Sequence, residues 1–298
     1  MIQGEKNSSP IFVGGLFKSG TSLLRAMIAQ HSRIAGGLET YWFDLPWGEP
    51  EPRLEKDIER LRRFFDLDEQ TVERIVEQSG SAEEFLNGFM GEVAAKQGKA
   101  RWVEKTPGNI LHLKRIYEFW PSASVIHVIR DPRDVLASLR QARKWDDIET
   151  FSNLWCRFFG AVRDFKESEA AKHEASFTEV RYEDLVLHPG TTMKRLLTFV
   201  GEDWEDSVSD FQGRPPEYQK VLEITGKAST TLKRLGKPLT QSRVGIWRKV
   251  LVSEDLDRLR EAVEARGLLP LMEEMMEETL SRIADHPEEG AGEPGHGQ

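Results

Sequence analysis

The stretch IFVGGLFKSGTSLLRAMIAQHS, residues 11–32, decides how the chain is read. Ile11, Phe12 and Val13 make a short apolar run, as a buried strand requires. Gly14 and Gly15 end it, and from Thr21 onward Leu23, Leu24, Met27 and Ile28 recur at helical spacing. Strand, glycine-rich turn and helix start, in that order, place backbone N–H groups around an anion. Gly15–Ser22 nearly fits the nucleoside-triphosphate loop G-x-x-x-x-G-K-[ST], but Thr21 stands where the lysine belongs. The lysine comes three residues earlier, as Lys18, so its cation approaches the anion from the loop side. A tight turn with a solvated lysine is the bland alternative. Gly-Gly, Lys-Ser-Gly and Thr-Ser coinciding behind an apolar strand weigh against it.

Working outward, further strands are expected at 101–104, at 124–130 (SVIHVIR, β-branched and short) and at 176–184, SFTEVRYED, read as a strand and its exit. Helical spacing covers 53–98, about 109–119, 148–171, 189–200, 204–212, 253–266 and 270–284. Another helix starts near Pro132, with Asp131 as N-cap and Pro132 at its first position. Residues 213–247 read as irregular, being rich in Gly and Pro. Strands alternating with helices predict an α/β fold, a P-loop-type central parallel sheet flanked by helices, with a helical insertion at about 45–100. One domain over 10–284 is expected, between a flexible N-terminus (1–9) and a disordered tail (285–298). The tail holds a literal G-x-G-x-x-G, Gly290–Gly295, but no strand precedes it.

The balance of 31% charged and 39% hydrophobic residues is that of a soluble globular chain. A net charge of -9 argues against nucleic acid as a partner and confines any small-anion site to a locally basic pocket. The single cysteine, Cys156, forbids an internal disulfide and lies in an apolar helical stretch, where a packed thiol is expected. No apolar run reaches membrane-spanning length, and a cytoplasmic location is expected.

In such a sheet ligands bind beyond the carboxyl ends of the strands. The chemistry is therefore expected at Gly14–Ser22, Glu104–Asn109, Arg130–Arg133 and Arg181–Asp184. In VIHVIRDPRDVLASL, Arg130 leaves a strand and Ser138 follows two helical turns later, a pair able to hold a second phosphate. An ion pair of Arg130 with Asp131 or Asp134 is the alternative. Lys105, in EKTPGN, leaves another strand just before a proline turn; a surface lysine is its bland reading. Glu39 follows the first helix in GGLETYWF, where it suits a base, a cap or a metal ligand. The aromatic residues after it suit an acceptor pocket, to which Trp42, Trp47 and Trp145 are candidate contributors. His31 and His127 sit on apolar elements and read as packed residues.

These segments, in this order, resemble the PAPS-dependent sulfotransferases, PAPS being 3′-phosphoadenosine-5′-phosphosulfate. GGLFKSGTSLLRAMIAQHS is similar to the family's 5′-phosphosulfate loop, VIHVIRDPRDVLASL to its 3′-phosphate motif, VRYEDLVLHP to its R-Y-E-D-L segment and GIWRK to its C-terminal Gly-x-Trp region. GLET and RYEDLVLHP resemble the tyrosylprotein sulfotransferase branch most. The resemblance implies sulfuryl transfer from PAPS to a hydroxyl acceptor, in line and without a metal. By analogy with phosphoryl transfer, the protein supplies alignment and cations on the leaving side. It implies that Lys18, Ser19, Gly20, Thr21 and Ser22 hold the 5′-phosphosulfate and that Lys18 and Lys105 serve the leaving group. Arg130 and Ser138 would hold the 3′-phosphate, with Tyr182, Ser242 and Trp247 near the nucleotide. Glu39 matches the catalytic base of the tyrosylprotein branch, and His112 is the backup base.

One departure is visible. The tyrosylprotein enzymes carry a serine two residues before their C-terminal tryptophan, where this chain has Gly245 before Trp247; Ser242 is in another register. The acceptor therefore stays open among a small molecule, a lipid, a saccharide and a peptide tyrosine, and so does a homodimer. The rival reading is a P-loop kinase-like phosphotransferase with Asp131 on magnesium. A second rival is an inactive nucleotide-binding homologue.

Overall fold

A computed structural model of the protein describes residues 9–47, 52–143, 147–168, 170–173, 175–212, 216–226 and 230–285. The expectations for residues 1–8, Trp145 and the tail from 286 lie outside the described residues.

Five strands form one sheet: β1 (Ile11–Gly14), β2 (Ile34–Gly36), β3 (Arg101–Lys105), β4 (Ser124–Ile129) and β5 (Phe177–Arg181). Their order is β2-β3-β1-β4-β5, and all four pairings are parallel. β1 is central, with Val13 beside Lys105 of β3 and Gly14 beside His127 of β4. The chain thus lays β2 and β3 on one side of β1, then β4 and β5 on the other. That reversal leaves a crevice beyond the carboxyl end of β1.

Because strand side chains alternate between faces, each strand feeds two cores. Phe12, Ala35, Trp102 and Val125 point to one face, covered by α2 (Pro52–Phe65), α3 (Glu69–Gln78), α4 (Ala82–Lys96) and α5 (Leu113–Phe119). Ile11, Val13, Ile34, Val103, Ile126 and Val180 point to the other. There α1 (Thr21–Ile28) and a later helix, Pro189–Val200, pack. The three insertion helices are amphipathic, and Asp68 and Ser81 cap α3 and α4 by accepting backbone N–H groups. A third cluster joins α6 (Pro132–Arg143), α7 (Ile148–Ser168) and the C-terminal helices.

The remaining helices are α8 (Ala170–His173), α9 (Tyr182–Leu187), α10 (Pro189–Val200), α11 (Pro216–Thr225), α12 (Thr230–Leu235), α13 (Ser253–Glu264) and α14 (Leu269–Asp285). Sequence reading missed one strand and misjudged two segments. β2 was not expected; its three residues are too few for a periodicity signal. Residues 204–212 hold only one 3-10 turn, Asp206–Val208. The YED of SFTEVRYED, read as the exit of the strand, opens α9. Residues 213–247 include α11 and α12, whose flanking glycines and prolines obscure two short helices.

Cys156 is buried against α13 and α14, with its thiol pKa raised by burial, as a packing residue should be. His127 is buried on β4, with Nδ1 2.9 Å from Glu179. His31 is buried too, its Nε2 3.0 Å from the Asp203 carbonyl.

Candidate active site

The loop between β1 and α1 takes its shape from backbone that only some residues tolerate. Gly15 has φ +144, and a Cβ there would lie 2.3 Å from the Val128 carbonyl oxygen. Gly20, with φ +100, is the N-cap of α1 and leaves the helix start without a side-chain cap. Lys18 itself is left-handed, φ 71. Such backbone is uncommon for a residue bearing a side chain, so the loop around it must hold it. The loop thus leads into a helix start with no side-chain cap, whose free N–H groups suit an anion.

Tyr182, the first residue of α9, packs its ring against Gly20. A Cβ on Gly20 would lie 2.5 Å from Tyr182 Cδ2. Gly20→Ala is therefore expected to displace Tyr182, to lower the melting temperature and to weaken nucleotide binding about tenfold or more; calorimetry and thermal melting check it.

Arg130 lies over the other part of the Tyr182 ring, 4.3 Å from its centroid. Its guanidinium donates to the Lys18 carbonyl at 2.8 Å and to the Arg243 carbonyl, and sits 3.6 Å from Asp134. One side chain thus ties together the first loop, the exit of β4 and the segment before Trp247. Asp134 is buried, which raises its pKa against the pull of Arg130, and it accepts from the backbone N–H groups of Gly245 (2.8 Å) and Trp247 (3.0 Å). Arg130 pairs with Asp134, the alternative the sequence offered, and also lines the cavity.

Those groups surround a cavity of about 550 Å³ at the carboxyl ends of β1, β3 and β4. Lys18, Gly20, Thr21, Ser22, Glu39, Lys105, Arg130, Ser138, Tyr182 and Ser242 all line it. Ser19 does not; it is buried, with its N–H on the Leu16 carbonyl. Trp247 does not either: its ring lies against the guanidinium of Arg133, 4.3 Å from Cζ. Its place in the fold is set by the Asp134 contact. His112 is half-buried and stacked on Phe43 at 4.2 Å, away from the cavity, with its pKa lowered by burial. Of the expected acceptor-pocket aromatic residues that are described, only Tyr41 lines the cavity; Trp42 and Trp47 pack in the core.

Sequence reading missed Arg25, Arg60, Arg234, Lys237 and Arg243, which also line the cavity. With Lys18, Lys105 and Arg130 they make eight basic side chains against one acid, Glu39, among the described residues. A chain of net charge -9 thus holds a locally basic cavity. Burial, with Arg234 and Arg130 nearby, pushes the Arg243 pKa down to about 10. Arg243 Nε and Nη2 and Arg130 Nε are buried without hydrogen-bond partners, an arrangement that a bound polyanion would complete.

At the opposite end, Lys105 Nζ donates to Ser22 Oγ at 3.0 Å and forms an ion pair with Glu39. Glu39 also accepts from the Tyr41 hydroxyl. Burial pushes Glu39 up, but Lys105, Tyr41 and Arg25 outweigh it and hold the carboxyl below its usual range.

In the R-Y-E-D segment only Tyr182 faces the cavity. Arg181 donates to the Met275 carbonyl (2.6 Å) and Thr279 (2.9 Å) of α14, and Arg282 of α14 pairs with Asp184. Asp131 pairs with Arg133 in a two-pronged contact and accepts the Arg133 N–H at 2.8 Å, so it caps α6 as expected. Arg133 also donates to the Met276 carbonyl at 3.0 Å.

The model of the sulfotransferase family matches residues 10–206. The chain belongs to the sulfotransferase family. Among its relatives is protein-tyrosine sulfotransferase A of Caenorhabditis elegans, 28% identical over 215 residues, 69% of this chain and 53% of that protein. The protein-tyrosine sulfotransferase of Drosophila melanogaster is 28% identical over 220 residues, 66% of this chain and 39% of that protein. This sulfotransferase-family chain therefore aligns with about half, or less, of the length of those relatives. The sulfotransferase domain of the Synechococcus PCC 7002 olefin synthase has the same fold. It superposes with a TM-score of 0.60 at 17% identity, covering 85% of this chain and 93% of that one.

Proposed function

We propose that the protein transfers a sulfuryl group from PAPS to a hydroxyl acceptor. The observation that carries this reading is the cavity that Lys18 and Arg130 share, lined among the described residues by eight basic side chains and one carboxylate, Glu39, which pairs with Lys105.

The nucleotide supplies an activated sulfuryl group when bound. Thr21, Ser22 and the loop N–H groups hold its 5′ end, with Lys18 beside the leaving phosphate. Arg130 and Ser138, joined by Arg243 and Ser242, hold the 3′-phosphate, whose charge completes the unpartnered guanidinium atoms. Tyr182 lies along the nucleotide. Lys105 neutralises charge on the leaving side, and Glu39 accepts the acceptor's proton. Its low pKa means that it takes the proton late, as the oxygen bonds to sulfur, because a carboxylate is too weak a base to free an alkoxide first. Leu38, Tyr41, Arg60 and Phe64 wall the cavity beside Glu39 and are where the acceptor enters. The tyrosyl branch gives a peptide tyrosine as one candidate acceptor; a small-molecule, lipid or saccharide hydroxyl is the other.

The kinase-like alternative needs Asp131 on magnesium, but that carboxylate is fully buried, held by Arg133, and does not line the cavity. Calorimetry separates the readings. PAP, the desulfated product nucleotide, is expected to bind at least a hundredfold more tightly than ATP with magnesium; the reverse order would favour phosphotransfer. Release of PAP from PAPS with a panel of phenol, sugar and tyrosine-peptide acceptors then tests turnover and excludes an inactive homologue.

A further inference from the structure

Glu104 lies in the middle of the sheet, on β3, fully buried and outside the cavity. A carboxylate there needs a reason, since burial pushes its pKa up and disfavours its charge. Four donors converge on it. Oε1 accepts from Thr40 Oγ1 at 2.8 Å, Thr40 N at 3.3 Å and Thr106 Oγ1 at 2.7 Å, and Oε2 accepts from Asn109 Nδ2 at 2.6 Å.

Three of these donors are also committed elsewhere. The Thr106 hydroxyl accepts the Tyr41 N–H at 3.2 Å, and the Thr40 hydroxyl accepts the Trp42 N–H at 3.4 Å. Each hydroxyl thus spends its one hydrogen on Glu104. The Asn109 amide gives its other hydrogen to the Val13 carbonyl (3.1 Å), and its oxygen accepts from Trp42 Nε1 (3.1 Å). The arrangement suits a group at 104 that accepts at both oxygens.

The contacts also close on themselves. Glu104 holds Thr106, Thr106 holds Tyr41, the Tyr41 hydroxyl holds Glu39, and Glu39 meets Lys105, the residue after Glu104. Tyr41 sits in this ring with left-handed backbone, φ 54, which a non-glycine residue adopts at a cost.

We propose that Glu104 is a positioning residue for sulfuryl transfer. Its carboxylate ties the turn that carries Glu39 to the strand exit that carries Lys105, and so fixes the distance and angle between them. The roles of those two groups rest on the sulfotransferase reading; the coupling itself does not. Glu39 faces Lys105 of β3, Tyr41 of its own turn and Arg25 of α1, with Arg60 of α2 donating to its carbonyl. Loosening the ring weakens the Lys105 and Tyr41 contacts, so the Glu39 pKa should climb toward its ordinary value.

The test uses Glu104→Gln, which sets an amide NH₂ among existing donors, and Thr106→Val, which removes one hydroxyl at almost constant volume. Carbon-13 NMR of labelled glutamates, with the Glu39 signal assigned from Glu39→Gln, reads its titration midpoint. PAP affinity by calorimetry and PAPS turnover with 4-nitrophenol are measured beside it. The expected result is a midpoint raised by about one unit in the folded variants and kcat lowered about tenfold, with PAP affinity within about twofold of the parent. If Glu104→Gln does not fold, the same readings on Thr106→Val settle the matter. An unmoved midpoint overturns the proposal, even when the melting temperature falls. So does a loss of PAP affinity equal to the loss of kcat, the mark of a merely structural role. A parent chain that neither binds PAP nor turns over PAPS, while the midpoint moves in the variants, defeats the sulfotransferase reading and supports the coupling.

Discussion

Glu39→Gln is expected to lower kcat by roughly a hundredfold to ten-thousandfold, the range spanned by loss of a general base. The amide keeps the size of the side chain and can still accept from Tyr41 and Lys105, so the turn should hold. PAP affinity is expected to stay within about twofold, because Glu39 contacts Lys105, Tyr41 and Arg25 and none of the groups assigned to the 3′-phosphate. The pH profile adds a second signature. A base must be ionised to work, and a carboxyl held below its usual range stays ionised into acid solution. The acid limb of kcat should therefore fall below the ordinary glutamate region. Steady-state kinetics at several pH values, paired with calorimetry, check both; near-normal kcat in the variant would remove Glu39 from the chemistry.

The second large effect concerns Arg130. Arg130→Ala removes the guanidinium that spans Lys18, Arg243, Asp134 and the Tyr182 ring. Loss of charge-assisted contacts to a phosphate is worth about 2–3 kcal/mol, so PAP affinity should drop roughly thirty- to a hundredfold. The drop should be confined to the 3′-phosphate. Adenosine 5′-phosphate, which lacks that group, should bind parent and variant almost alike. Stability should fall too, by about 3 kcal/mol, because Asp134 stays buried with two N–H donors and no countercharge as near as Arg130. Arg130→Lys should recover part of the stability and little of the affinity, since an ammonium cannot reproduce the planar fork. Thermal melting and calorimetry on the three proteins decide it; equal losses for both nucleotides would show that Arg130 acts through the fold alone.

The parts of this molecule that a sequence reader can see are those where one local signal suffices. β1 with its glycines, β4 with its β-branched run and the Asp131–Pro132 helix start each carry their own pattern, and the site loops follow them. β2 hides because its three residues belong to an edge strand, which takes its identity from pairing with β3. The cations Arg25, Arg60, Arg234, Lys237 and Arg243 hide for a related reason: each lies on an ordinary amphipathic or irregular stretch, and only folding turns them toward a common cavity. Arg243 is the sharpest case. It sits four residues before Trp247, which resemblance placed near the nucleotide, yet the structure turns Arg243 toward the cavity and Trp247 onto Arg133. Glu104 ends an expected strand, but its role is hidden because its donors on Thr40, Thr106 and Asn109 meet it only in the fold.

The final helix gives the molecule an unexpected dependence on its far end. Midway along it, the carbonyls of Met275 and Met276 receive the guanidinium groups of Arg181 and Arg133, both nearly sealed from solvent. Were that helix shorn away, both cations would lose those acceptors and turn toward the water let in. Ser138 shares a helix with Arg133, and Tyr182 directly follows Arg181, so the grip on the nucleotide would slacken while the strands stayed paired.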